Sequence, residues 1–549
     1  MPSLSLRLAG ALCALALGAV ALPAAARDAL GVAEQSYADW LDANYALSTL
    51  AAGPATVVAG LDRAGWEQRR AAAAAALERR LAALRKGRLD AADRKVLAAM
   101  QAGYANPPSA PAASNADQTA ARCGSAQDPT LTRAALSAAL YACFEHHGNH
   151  IRFEDRTLVR TTALELLQEL DSGERRRALF TALGPLWSAI NADDAPASPY
   201  RRLLRLVTAD AAAQHGTPID EAARTVGASR DEIERWLVAI LSAWAQATEG
   251  SSVEPWNYWH AHTAASRSLD ALIPPERILE LDRAYYRDLG ADLDLLGVTH
   301  DFAVRDGKAP LAYSDLVRIG RIVDGRWRPP LARVSANVEH GGLYVLNEIV
   351  HEDGHSVQVS SIRTRPAFFG WGDDLYVEAF ADSTSWSVAE PAWQQRYLGR
   401  STPVADSLRA LYASVMLDAA WGLFELRLLR DPQLDPNAVW TDITSRYLHV
   451  IPHPDLSWWA LRVQLVDLPG YMINYGLGAV LTAEIRSRTR AAIGDYDAGN
   501  PRWHAWTSRH LLRFGTSVPT PVLLRRFLGH PVSPQPLLLQ LARLDRARS

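Results

Sequence analysis

Apolar residues recur mainly at helical spacing along the chain. Trp66 to Lys86 is rich in Ala, Leu, Glu and Arg and stops at Gly87, a pattern that predicts a helix. Thr217-Pro218 with Asp220 predicts a helix start, and Ser229 with Glu232 reads as a capping box before Ile233, Trp236, Leu237 and Ile240. Asn106 to Ala120, with three prolines among Ser, Ala and Asn, reads as a loop. Extended structure is expected only near Gly320 to Val338, where Ile322-Val323 and Val334 to Val338 flank Gly325 and Pro329-Pro330. No internal repeat is visible, so the pattern predicts a mainly α protein.

At the N-terminus Arg7 precedes an apolar run from Leu8 to Leu22 that ends in Ala24-Ala25-Ala26. This reads as a secretory signal covering residues 1–26, followed by an N-terminal helical region over 27–120 and a body over 121–549. The run is short for a bilayer span and no other stretch is long enough, so no membrane span is expected after cleavage. A periplasmic or secreted location follows. Cys13 would leave with the signal, and Cys123 and Cys143 are then expected to pair in an oxidising compartment.

Length adds that 549 residues can bury a substantial core. With 57 basic and 60 acidic side chains, a net charge of −3 and no long run of one sign, nucleic acid is excluded as an expected partner.

The chemistry concentrates in Asn347-Glu348-Ile349-Val350-His351-Glu352-Asp353-Gly354-His355. On a helix, His351 and His355 share a face at i and i+4 and can direct both imidazoles at one zinc ion, with Glu352 beside them. Chance would produce such an HExxH motif roughly 0.02 times per chain of this composition. A catalytic zinc needs a third protein ligand and an open position. Glu378 and Asp382 are again i and i+4, so Glu378 can ligate while Asp382 accepts the outer N–H of a ligating histidine. Val377, Phe380 and Trp386 around them argue for burial. His146, His147, His150, His260 and His262 lack a carboxylate or cysteine complement and are read as structural or surface residues.

His351-Glu352-Asp353-Gly354-His355 followed by Glu378-Ala379-Phe380-Ala381-Asp382 resembles the gluzincin arrangement of the angiotensin-converting-enzyme-like and thimet-oligopeptidase-like peptidases. Weaker echoes are Glu254 to Trp259, Pro469 to Tyr475 and Leu528 to Ser533. The resemblance implies a two-lobed helical ellipsoid with a deep central groove, one Zn2+ and oligopeptide substrates. It also implies that Glu352 activates a zinc-bound water and passes a proton to the leaving amine. Tyr471 and Tyr475 are the candidate oxyanion donors, with His449 and His453 as alternatives. An inactive peptide-binding relative and a zinc amidohydrolase on a nonpeptide substrate remain open at this point. So does the choice between endopeptidase and carboxypeptidase action, for which Arg363, Arg446 and Arg462 are available to capture a substrate carboxylate. Peptide substrates are often held beside an exposed strand edge, and Val334 to Val338 is the expected edge.

Overall fold

The computed structural model describes residues 24–52, 62–85, 89–107, 116–214, 216–250, 252–304, 308 and 311–546. The candidate signal up to residue 23, with Cys13, and the Gly87 stop lie outside them. The described chain is mainly α, with seven short strands. No described helix is long and apolar enough to cross a membrane.

Local chemistry explains the helix boundaries. The Arg63–Leu84 helix is capped by Asp62, whose carboxylate accepts the Gly65 amide at 2.8 Å. Both expected boxes form: Thr217 with Asp220 opens Pro218–Val226, and Ser229 with Glu232 opens Arg230–Ala247. The Pro-rich stretch behaves differently at its end. Ala116–Gly124 is helical, so the expected loop closes early and the expected boundary at residue 120 falls inside a helix.

Strands were under-read. Besides β5 (Arg321–Val323) and β6 (Arg326–Arg328), joined through Asp324 and Gly325 at φ 49° and 74°, the chain forms β1 (Ile151–Phe153) and β2 (Arg156–Leu158). A three-stranded sheet has the order β3 (Val298–Asp301), β7 (Leu331–Ser335), β4 (Tyr313–Arg318). β7 runs parallel to β3 and antiparallel to β4. The expected edge, Val334 to Val338, therefore begins inside the central strand, with Val334 and Ser335 fully buried, and its last three residues lie beyond β7. Such short strands carry too few alternations to reveal their neighbours.

One apolar core extends from Ala126 to Leu544. A second cluster joins Leu30, Leu41, Leu77 and Met100 to Leu316, Val359 and Phe369, which docks the N-terminal helices on β4 and on the end of the Leu343–Ser360 helix. Polar ties reinforce that docking: Asp42 accepts the Ile319 amide at 3.0 Å, and Glu34 pairs with Arg365 at 2.9 Å. Cys123 and Cys143 are disulfide-bonded, linking the Ala116–Gly124 and Arg133–Gly148 helices.

Candidate metal centre

The motif helix, Leu343–Ser360, begins where Asp270 accepts the Leu343 amide at 2.8 Å. It packs on the carboxylate helix, Asp374–Ser385. The contact is close because of Gly354: a Cβ there would lie 2.8 Å from the Ala381 Cα. The small residue between the two histidines thus sets the separation at which a side chain of one helix can meet those of the other. Asn347 Nδ2 adds a bond to the Ser385 carbonyl at 2.7 Å. A third element, the tyrosine helix Ile473–Ile493, lies against the carboxylate helix, with Thr482 Oγ1 donating to the Ala379 carbonyl at 3.1 Å.

These three elements bring the predicted residues together. One ligand atom each from His351, His355 and Glu378 lies within 4.8 Å of the others. Glu378 Oε2 is 3.4 Å from His351 Nε2 and 3.7 Å from His355 Nε2. Asp382 Oδ1 holds His351 Nδ1 at 2.8 Å, which leaves Nε2 directed at Glu378. Two imidazoles and one carboxylate, with one ring fixed from behind, are a donor set that could hold a metal ion.

Charge is distributed unevenly over the group. Burial, together with the neighbouring His351, pushes His355 down to about 3, so its imidazole is neutral. Burial also works against charge on His351, but Asp382 and Glu378 outweigh it and raise that imidazole well above its ordinary value. Burial tends to raise Glu378, yet its bonds to His351 and Tyr471 hold it below the usual range. Glu352, next to the ligand candidates, is pushed up to about 8 by burial and by the nearby Glu378 and Glu348, against the pull of His351.

The two tyrosines differ in their engagements. Tyr471 donates its hydroxyl to Glu378 Oε1 at 2.9 Å. The Tyr475 hydroxyl accepts from Gln464 Nε2 at 3.3 Å and keeps its own proton. Burial and then Glu378 raise both phenols, so both stay protonated. The alternatives lie elsewhere. His449 ends the Pro436–Leu448 helix at φ 54°, its Nε2 bonded to the Ala245 carbonyl at 2.9 Å. That ring is anchored in the turn pairing Val253 with Val450, and the structure does not join it to His351, His355 or Glu378. His453 Nε2 bonds to Glu254 Oε2 at 2.7 Å.

Of the arginines, Arg446 pairs with Asp442 at 2.8 Å and Arg363 lies over Trp327. Arg363 also donates to the Ser360 carbonyl at the far end of the motif helix at 3.3 Å, whereas Arg462 lies beside its earlier turns, near Tyr344 and Glu348. Arg462 pairs with Asp418 and lines a cavity of about 80 Å³ with Arg160, Glu165, Tyr344 and Glu348. Glu348 was legible as one helical turn before Glu352, whereas Arg160 and Glu165 come from a distant helix that spacing cannot connect. Glu425 was also missed. Its two carboxylate oxygens accept the Gly470 and Met472 amides at 2.7 and 2.8 Å, which fixes the turn that carries Tyr471.

No protein-family model matches the chain, and no curated protein matches it. Solved structures do. An M32 carboxypeptidase from Deinococcus radiodurans R1 is 15% identical, with a TM-score of 0.52 over 95% of this chain and 99% of that one. A carboxypeptidase from Pyrococcus furiosus is 13% identical, with a TM-score of 0.54 over 95% and 99%. PZ peptidase A, solved with an inhibitor, is 13% identical, with a TM-score of 0.57 over 96% and 98%. These likenesses show a shared mainly α fold over nearly the whole chain.

Proposed function

We propose that this chain is an exported zinc-dependent peptidase acting on oligopeptides. The observation that carries the reading is the convergence of His351, His355 and Glu378 from two helices, with Glu352 beside them and Asp382 behind His351. The structural neighbours named as peptidases support peptides as the substrate class, and the apolar N-terminal run supports export.

His351, His355 and Glu378 would hold the ion. When bound, zinc supplies a Lewis acid that polarises the scissile carbonyl and acidifies water. Glu352 accepts the proton of the attacking water and returns it to the leaving amine. Asp382 keeps the His351 ring in one tautomer and direction. Tyr471 is committed to Glu378 and orients it. Tyr475, with its proton uncommitted, donates to the carbonyl oxygen as negative charge develops.

Glu352→Gln tests the assignment. Zinc content should stay near one equivalent at His351, His355 and Glu378 while hydrolysis of a quenched oligopeptide falls by at least ~10²-fold, the lower range for a general base. Full activity in that variant removes Glu352 from the mechanism, and no cleavage of any oligopeptide by the zinc-loaded wild type removes the peptidase reading. Mass spectrometry of products from free and C-terminally amidated peptides then separates carboxypeptidase from endopeptidase action.

A further inference from the structure

Asp353 stands between Glu352 and Gly354 in the motif yet belongs to a different group. At about 100° of rotation per residue, it points about 160° to 200° away from His355 and His351. On that side it meets Asp282, from the Pro275–Asp288 helix, and His300 of β3. His300 Nε2 lies 2.8 Å from Asp353 Oδ2, and one ligand atom from each of the three residues lies within 4.8 Å of the others. Asp282 and Asp353 are fully buried, and the His300 side chain is 4% exposed.

The polar atoms of this group are not satisfied by the surrounding protein. Both Asp282 carboxyl oxygens, Asp353 Oδ1 and His300 Nδ1 find no hydrogen-bond partner outside the group, within which the Asp282 and Asp353 carboxyls lie in hydrogen-bond reach of each other. Arg283, next on the same helix, sends its guanidinium to Asp294 at 3.0 Å. The Tyr286 hydroxyl donates to the Val350 carbonyl at 2.6 Å. Two facing carboxylates buried without a compensating cation are strongly disfavoured. A divalent cation would balance both charges: two carboxylates with one neutral imidazole form a dianionic donor set, of a kind common to zinc and manganese, that becomes neutral with the ion.

We propose that Asp282, His300 and Asp353 form a second, buried divalent-metal site beneath the motif helix. The ion would join three elements, β3, the Pro275–Asp288 helix and the motif helix, and so hold the helix that presents His351 and His355. Its role is structural, and it is independent of the substrate of the His351, His355 and Glu378 site.

The test is metal stoichiometry on the full chain, stripped with a chelator, reloaded with zinc alone and measured by mass spectrometry. Wild type should hold two equivalents. Asp282→Asn and His300→Gln should each hold one, and Glu378→Ala should lose the other. A wild-type protein whose single equivalent survives Asp282→Asn overturns the proposal and leaves the group as carboxyls sharing a proton beside His300. Two equivalents retained in Glu378→Ala would instead overturn the assignment of Glu378 as a ligand with His351 and His355 and spare this one. Should the Asp282 and His300 variants fail to fold, anomalous scattering from zinc-loaded wild-type crystals decides alone: a peak between the three side chains supports the site, and none refutes it.

Discussion

Asp382→Ala isolates the residue that orients a candidate ligand without being one. Asp382 Oδ1 holds His351 Nδ1 at 2.8 Å and also accepts from Ser385 Oγ at 3.3 Å. A hydrogen bond to a charged group contributes ~1.5–3 kcal/mol. The two side chains are 26% and 17% exposed, so water partly replaces the lost bond and the lower half of that range applies. About 1.5–2 kcal/mol corresponds to a roughly 10- to 30-fold loss of zinc affinity, within the range for partners of metal-bound histidines. Asp382→Asn keeps an acceptor oxygen and loses only the charge. Because neutral hydrogen bonds are about half as strong, it should cost roughly 3- to 5-fold. Chelator competition at fixed pH, with circular dichroism to verify folding, reads both numbers. An Asp382→Ala protein that binds zinc as tightly as wild type refutes the role of this bond.

Tyr475→Phe should lower kcat by ~10²-fold with a smaller change in KM, the signature of a donor needed when charge develops. Tyr471→Phe should weaken zinc binding, because it removes the hydroxyl bonded to Glu378; if both variants match wild type in zinc affinity and kcat, neither phenol has the stated part. Replacing Cys123 and Cys143 by Ser should lower Tm, removing up to ~3 kcal/mol from a loop of this length, while specific activity of the folded enzyme stays nearly unchanged. Activity lost without loss of folding would show that the bond does more than stabilise. Burial tends to raise Asp497, but Arg486 and Arg490 outweigh it and hold the carboxyl well below the usual carboxylate range. A depressed folded-state value means stability that is present above the unfolded-state value near 4 and fades as pH falls through the folded one. Asp497→Asn should therefore lower Tm most at pH 6, with the gap narrowing below about pH 4; a gap that is constant with pH would rule out the ion pairs as its source.

What could be read from the chain alone was what lies within one helix. A rotation of about 100° per residue puts His351 with His355, and Glu378 with Asp382, whatever surrounds them. The capping boxes at Thr217 and Ser229 are equally local and form as read. Even the approach of the two helices has a local trace in Gly354, whose missing side chain admits Ala381. Relations between distant segments left no such trace. β7 became a central strand because β3 and β4 flank it, and five residues of alternation cannot name their partners. Spacing offered Tyr471 as a candidate donor and His449 as an alternative, but packing sends one hydroxyl to Glu378 and one imidazole to the Ala245 carbonyl. Asp353 was given no role in the motif, and only tertiary structure places Asp282 and His300 against it. Helix geometry decides which side chains share a face; which faces meet depends on burying apolar surface contributed by the whole chain, and no window of sequence contains that information.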